Sequence, residues 1–187
     1  MRLHRVLALA ILVILSFGCV LGNSTAIAQT TDYSFEATYN IESLGEPIRG
    51  DVLRVRETGE STSAPYGLTQ LENRGYALFN PETSNVLKAD SDPEKFGLKG
   101  EDFPLGRLTF LGQGTDKLFG TATGSSTYDL DNLVGTGSDT ITITGGEGRF
   151  SGAKGILKFS ETSILSPDPT VPTKGTWFVK GSFQIAP

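Results

Sequence analysis

Cysteine, histidine, methionine and tryptophan each occur only once in this chain of 187 residues, as Cys19, His4, Met1 and Trp177. A single cysteine excludes an intrachain disulfide framework and a zinc–thiolate site. A single histidine excludes a histidine-rich metal centre. Three of these four residues also sit in an N-terminal stretch that reads as removable. Arg2, His4 and Arg5 give a short basic start, and residues 6–22 are almost wholly apolar. Ala26-Ile27-Ala28 then places small residues at the outer positions of a cleavage site before Gln29. The expectation is a signal peptide over residues 1–28, cut after Ala28, and one domain over residues 29–187, secreted or periplasmic. The alternatives are a retained anchor, since about 17 apolar residues just span a bilayer, and lipidation of Cys19, against which Ser16 and Phe17 stand.

Removal of the leader takes away the only thiol and the only imidazole. The remaining chain has no cysteine nucleophile and cannot build a serine–histidine–acid triad within itself. It holds 14 basic and 21 acidic residues, a formal charge of −7 against −5 for the whole chain. That balance argues against nucleic acid, whose phosphates need clustered Lys and Arg. No cofactor and no metal site are expected, and no membrane span after cleavage. A domain of this size holds together by its core, burying close to ~70% of its unfolded surface.

Long amphipathic helical periods are missing too. Short runs of alternating apolar and polar residues take their place, separated by turn residues. Tyr33, Phe35, Ala37, Tyr39 and Ile41 share one face of a strand; Ser34, Glu36, Thr38 and Asn40 share the other. Further strands are expected at residues 52–58, 68–80, 107–111, 117–123, 126–130, 133–144, 155–163 and 175–185. Residues 89–104 read as a long loop in which Asp92-Pro93-Glu94 caps one helical turn. Residues 166–172, with three prolines, read as an extended connector. The reading is an all-β fold, an antiparallel barrel of about eight strands that closes first strand against last, with a β-sandwich as the alternative.

The candidate chemistry is sparse. Gly146-Glu147-Gly148 lacks the spacing of a phosphate loop and opens a strand. Asp129-Leu130-Asp131-Asn132 and Asp90-Ser91-Asp92 offer oxygens for calcium but lack the other ligands of an EF-hand, and read as solvated turns. Glu36 lies on the polar face and is expected in solvent. Arg54 and Arg56 share a face, either as outer solubility residues or as a carboxylate clamp. Phe35, Tyr39, Phe110, Phe119, Trp177 and Phe183, with Phe150, are the aromatic set: ordinary core, or the wall of a cavity for a hydrophobic ligand.

The segment Gly145-Gly146-Glu147-Gly148-Arg149-Phe150-Ser151-Gly152-Ala153-Lys154-Gly155 resembles the glycine-rich hairpin of the allene oxide cyclase–dirigent barrel superfamily. Gly175-Thr176-Trp177-Phe178-Val179-Lys180-Gly181 is similar to its closing strand. The resemblance covers roughly residues 133–185. It implies an eight-stranded barrel with an apolar cavity, often trimeric, so a homo-oligomer is an expectation. No cyclase or dirigent active-site motif is matched, and no catalytic residue is carried over. The function expected is an exported, non-catalytic barrel that binds a small hydrophobic molecule or serves as an envelope or interaction domain. The alternative is a cofactor-free isomerase or cyclase, or a dirigent-type protein, on an apolar substrate.

Overall fold

Alternation along the strands decides which side chains meet, and the computed structural model shows what that alternation builds. It describes residues 30–166, 168 and 171–186; the expected signal peptide and its cleavage site lie outside the described residues. Nine strands follow in order: β1 (Thr31–Arg49), β2 (Val52–Glu60), β3 (Gln70–Phe79), β4 (Val86–Asp90), β5 (Arg107–Leu111), β6 (Lys117–Asp129), β7 (Val134–Glu147), β8 (Ala153–Ile164) and β9 (Thr173–Ile185). All pairings are antiparallel. Neighbours run β2-β1-β9-β8-β7-β6, and β4 and β5 both join β6 to β3, which pairs back onto β2. The sheet is a ring with eight places. β4 and β5 share one of them end to end: β5 pairs with Gln70–Arg74 of β3 and β4 with Tyr76–Phe79. Every strand is paired on both sides, which removes the exposed edges that invite aggregation.

The first and last strands pair along thirteen positions, Thr31 with Ile185 through Ser43 with Thr173, as the sequence predicts. Two details differ from expectation. Lys117–Asp129 forms one strand rather than the two expected at residues 117–123 and 126–130, because Gly124 continues β6 instead of breaking it. The loop expected at residues 89–104 begins inside a strand, β4, whose five residues contain a register shift between Val86 and Ala89 and so carry no clean alternation. The helical turn at Pro93–Phe96 is present, and Asp92 accepts the Glu94 N–H at 2.9 Å.

Inward-facing residues fill the two ends of the ring unequally. One end is packed with Phe35, Tyr39, Leu71, Phe110, Leu118, Ile141, Phe150, Leu157 and Phe183, all buried. The β2–β3 loop closes that end. Leu68 is fully buried, and Tyr66 sits edge-on to Tyr33, Phe150 and Phe183. The glycine hairpin lies at the same end. Gly145 and Gly146 extend β7, whereas the left-handed turn geometry falls on Gly148 (φ 61°) and Gly152 (φ 78°). Gly155 lets the Ser182–Phe183 backbone approach where a Cβ would clash. A second, smaller cluster of Val52, Tyr76 and Leu98 pins residues 91–106 against the outside of β2 and β3.

Tyr39 ties the closing loop to the core: its hydroxyl donates to the Leu68 carbonyl at 2.6 Å, and burial pushes its pKa well up. Tyr39→Phe leaves that carbonyl buried without its donor. The expected loss is about 1–3 kcal/mol of folding free energy, read as a lower urea midpoint with unchanged slope.

Candidate functional site

The other end of the ring is not filled. The same inward rows that carry aromatics at the closed end carry small and polar residues here: Ser43 and Gly45 on β1, Asn73 and Gly75 on β3, Ser126 on β6, Gly137 on β7 and Gly175 on β9. The result is a cavity of about 470 Å³. Its apolar wall includes Leu53, Val55, Ala77, Phe79 and Val86, and its mouth is rimmed by Leu130, Leu133 and Leu165. Leu130 is 49% exposed at this rim. Its floor is Trp177, stacked on Phe159 at 4.0 Å and 1% exposed.

Three carboxyls project into this space from three strands. Glu57 follows Leu53 and Val55 on the inner face of β2, Asp139 precedes Ile141 on β7, and Glu161 follows Leu157 and Phe159 on β8. The seats of Asp139 and Glu161 are made by absent side chains. A Cβ on Gly124, the cross-strand partner of Asp139, would overlap the Asp139 carboxyl. One on Gly137 would come within 3.2 Å of the Glu161 carboxyl, and one on Gly135 would strike the Tyr128 ring. Glycines that weaken strands elsewhere here serve as sockets.

The electrostatics follow from burial. Glu57 is pushed up to about 8, by burial above all, with the charges of Glu161 and Asp139 adding to the rise and the Asn73 amide opposing it. Asp139 is pushed up to about 7 by burial and by Glu161. Glu161 is raised by burial, and Tyr128 is raised to about 12 by burial and then the charge of Glu161. Asn73 Nδ2 donates to Glu57 Oε2 at 2.7 Å. That leaves Asn73 Oδ1 buried without a donor, as is Asp139 Oδ1, and Trp177 Nε1–H finds no acceptor. Asp90 also faces the cavity, its Oδ1 accepting the Asp92 N–H. No Lys, Arg or His lines the cavity. Among the described residues no three acidic, histidine or cysteine side chains converge closely enough to hold a metal ion.

Of the six aromatic residues named as a cavity wall, Trp177 alone lines this cavity. Phe35, Tyr39, Phe110 and Phe183 are buried core at the closed end, where aromatic rings pack against one another, and none of them lines the cavity. Phe119 lies on the outer face under the Arg107 guanidinium, 4.2 Å from its ring centre. Glu36 is exposed and pairs with Lys180 at 2.8 Å. Asp129 closes the β6–β7 turn by accepting the Asp131 and Asn132 N–H groups. Sequence reasoning passed over Glu57, Asp139, Glu161, Tyr128 and Asn73. The signal was present: each acid occupies the apolar phase of its strand, in step with Leu53 and Val55, Ile141 and Ile143, or Leu157 and Phe159.

Stability should fall as pH rises. The cavity acids bind protons more tightly folded than unfolded, so their contribution is intact below about pH 4, the unfolded range. It is lost as pH climbs through about 7 and 8, the folded values for Asp139 and Glu57. Urea midpoints measured from pH 4 to 9 should decline over this window, and Glu57→Gln with Asp139→Asn should flatten most of the decline. An unchanged slope in the double variant would show that other groups set it.

Compared with protein-family models, curated proteins and solved structures, the chain gives no significant match.

Proposed function

We propose that the exported domain is a binding protein for a small amphipathic molecule, one with an apolar body and a protonated amine head. The observation that carries this reading is the mismatch of hydrogen-bonding groups in the cavity. Carboxyls and an amide oxygen crowd it, two acceptor oxygens are buried without donors against one unpartnered donor, Trp177 Nε1–H, and no cationic side chain lines it. A buried acceptor without a donor costs about 1–3 kcal/mol. An ammonium brings three donors and a charge that stabilises ionised carboxyls. The leucine-lined mouth and the Leu53–Val55 wall suit an apolar body, at about 0.8 kcal/mol per buried methylene.

The only tryptophan of the chain is the floor of the cavity, so its emission reports occupancy directly. Octylamine should shift Trp177 emission saturably, more tightly at pH 8 than at pH 5, with octanol weaker and octanoate weakest. Glu57→Gln with Asp139→Asn should weaken octylamine by roughly tenfold or more, the scale of a lost charge-assisted contact. Equal binding of octanoate, or no response to octylamine, would overturn the amine reading.

A second reading, a cofactor-free isomerase, is favoured by one observation. Asp139, raised to about 7, can both take and return a proton near neutral pH. In a β,γ-unsaturated ketone the carboxylate would remove the α-proton, and the carboxylic acid would return it at the γ-carbon. Cyclohex-3-enone should then convert to the conjugated isomer, seen as new ultraviolet absorbance and lost in Asp139→Asn. No conversion above buffer would remove this reading and leave the binding one standing.

A further inference from the structure

On the outside of the ring, β2, β3 and β5 carry a row of arginines. Arg56 is the cross-strand partner of Arg74, and Arg74 is the partner of Arg107. Directly paired residues project from the same face with Cα atoms about 4.5–5.5 Å apart, and like charges in that relation repel. Arg54, two residues before Arg56, shares the face. These four line a groove of about 530 Å³ whose far wall is Tyr76 and the segment Pro104–Gly106.

Arg54 is engaged: its Nη2 donates to the Asp102 carbonyl at 3.0 Å and holds the wall in place. Among the described residues, no carboxylate lies within ion-pair distance of Arg56, Arg74 or Arg107. Glu72 faces the groove but falls outside that distance. The choice of residue is selective. The chain has eight lysines, all in the described region, and none lines the groove; four of the six described arginines do. Lysine suffices for solubility, whereas the planar guanidinium fork is suited to two-pronged contacts with oxyanions. The groove wall is also built. Gly106 lets the segment lie against the Arg74 backbone, where a Cβ would clash, and its N–H donates to the Ser91 carbonyl at 2.7 Å. The Arg107 guanidinium sits over the Phe119 ring, 4.2 Å from its centre. On a chain of net negative charge, a repulsive row whose Arg56, Arg74 and Arg107 have no carboxylate partner among the described residues, walled by a fixed loop, has the form of a receptor.

We propose that this groove binds a multiply charged phosphate-class oxyanion through Arg56, Arg74 and Arg107. The inference is independent of the cavity and of what fills it. Two sources share that chemistry, a soluble di- or polyphosphate and the phosphate headgroup of a lipid, and Leu105, 67% exposed on the groove wall, is compatible with either.

The test is calorimetric titration of the exported chain, purified from its host, with inorganic pyrophosphate at low and at physiological salt. One saturable site is expected, weaker at the higher salt. Arg74→Gln should reduce affinity by at least about tenfold, and Arg74→Lys by an intermediate factor because charge stays and the fork is lost. Lys158→Gln on β8 should change it little. Without ligand, Arg74→Gln should melt no lower than the parent, since it relieves repulsion, which also shows that the variant folds. Co-sedimentation with phosphatidic acid vesicles that depends on Arg74 would assign the headgroup source; pyrophosphate binding without co-sedimentation would assign the soluble one. Absence of both, or equal weakening by Lys158→Gln and Arg74→Gln, would overturn the proposal.

Discussion

Everything in this molecule depends on closing the sheet. Once β1 pairs with β9 and β2 with β3, the inward face of every strand points at the same enclosed volume, and that volume must be filled or left as a hole. Hydrogen bonds close the ring, but side-chain volume decides what the ring contains. At one end the inward residues are Phe, Tyr, Leu and Ile, and the interior is dense. At the other they are Ser, Gly, Asn and carboxylic acids, and the interior is a cavity. The transition falls at Trp177, which belongs to both halves.

Acids inside such a cavity oppose folding, because burial disfavours their charged form. Burial therefore pushes Glu57 up to about 8 and Asp139 up to about 7 and raises Glu161 as well, and among the described residues none of the three forms an ion pair. In the dry half a polar group is tolerated only when it is fully engaged, as the Tyr39 hydroxyl is by Leu68. In the cavity half the engagement is incomplete, and Asn73 and Asp139 keep acceptors unused. The two halves obey one rule about buried polarity and differ in whether the chain itself satisfies it.

Strand content, ring closure, the export-type leader as an expectation and the inward apolar phase of β1 could all be read from alternation and composition. The short β4 could not, because its bulge between Val86 and Ala89 breaks the two-residue period. Nor was Gly124 readable as anything but a breaker, since its role appears only when β7 brings Asp139 opposite it. The site is legible in the strand phase: an acid on the polar face, such as Glu36, meets solvent, whereas an acid in the apolar phase, such as Glu57, Asp139 or Glu161, faces the interior. The arginine row was half legible: Arg54 and Arg56 stand together in sequence, but Arg74 and Arg107 join them only through the pairings of β3 with β2 and β5.

The wall between cavity and groove is a single sheet, and the same short stretches of backbone serve both. Arg56 and Glu57 are consecutive, as are Asn73 and Arg74, and in each pair the arginine faces out and its neighbour faces in. A one-residue slip of β2 in the ring would carry the Arg56 guanidinium into the interior and expel the Glu57 carboxyl to the surface. Strand register in most sheets is guarded by apolar burial alone. Here it is guarded by sign as well: a misregistered ring would present cations where the protein presents acids, so fidelity of assembly and polarity of the wall are one property.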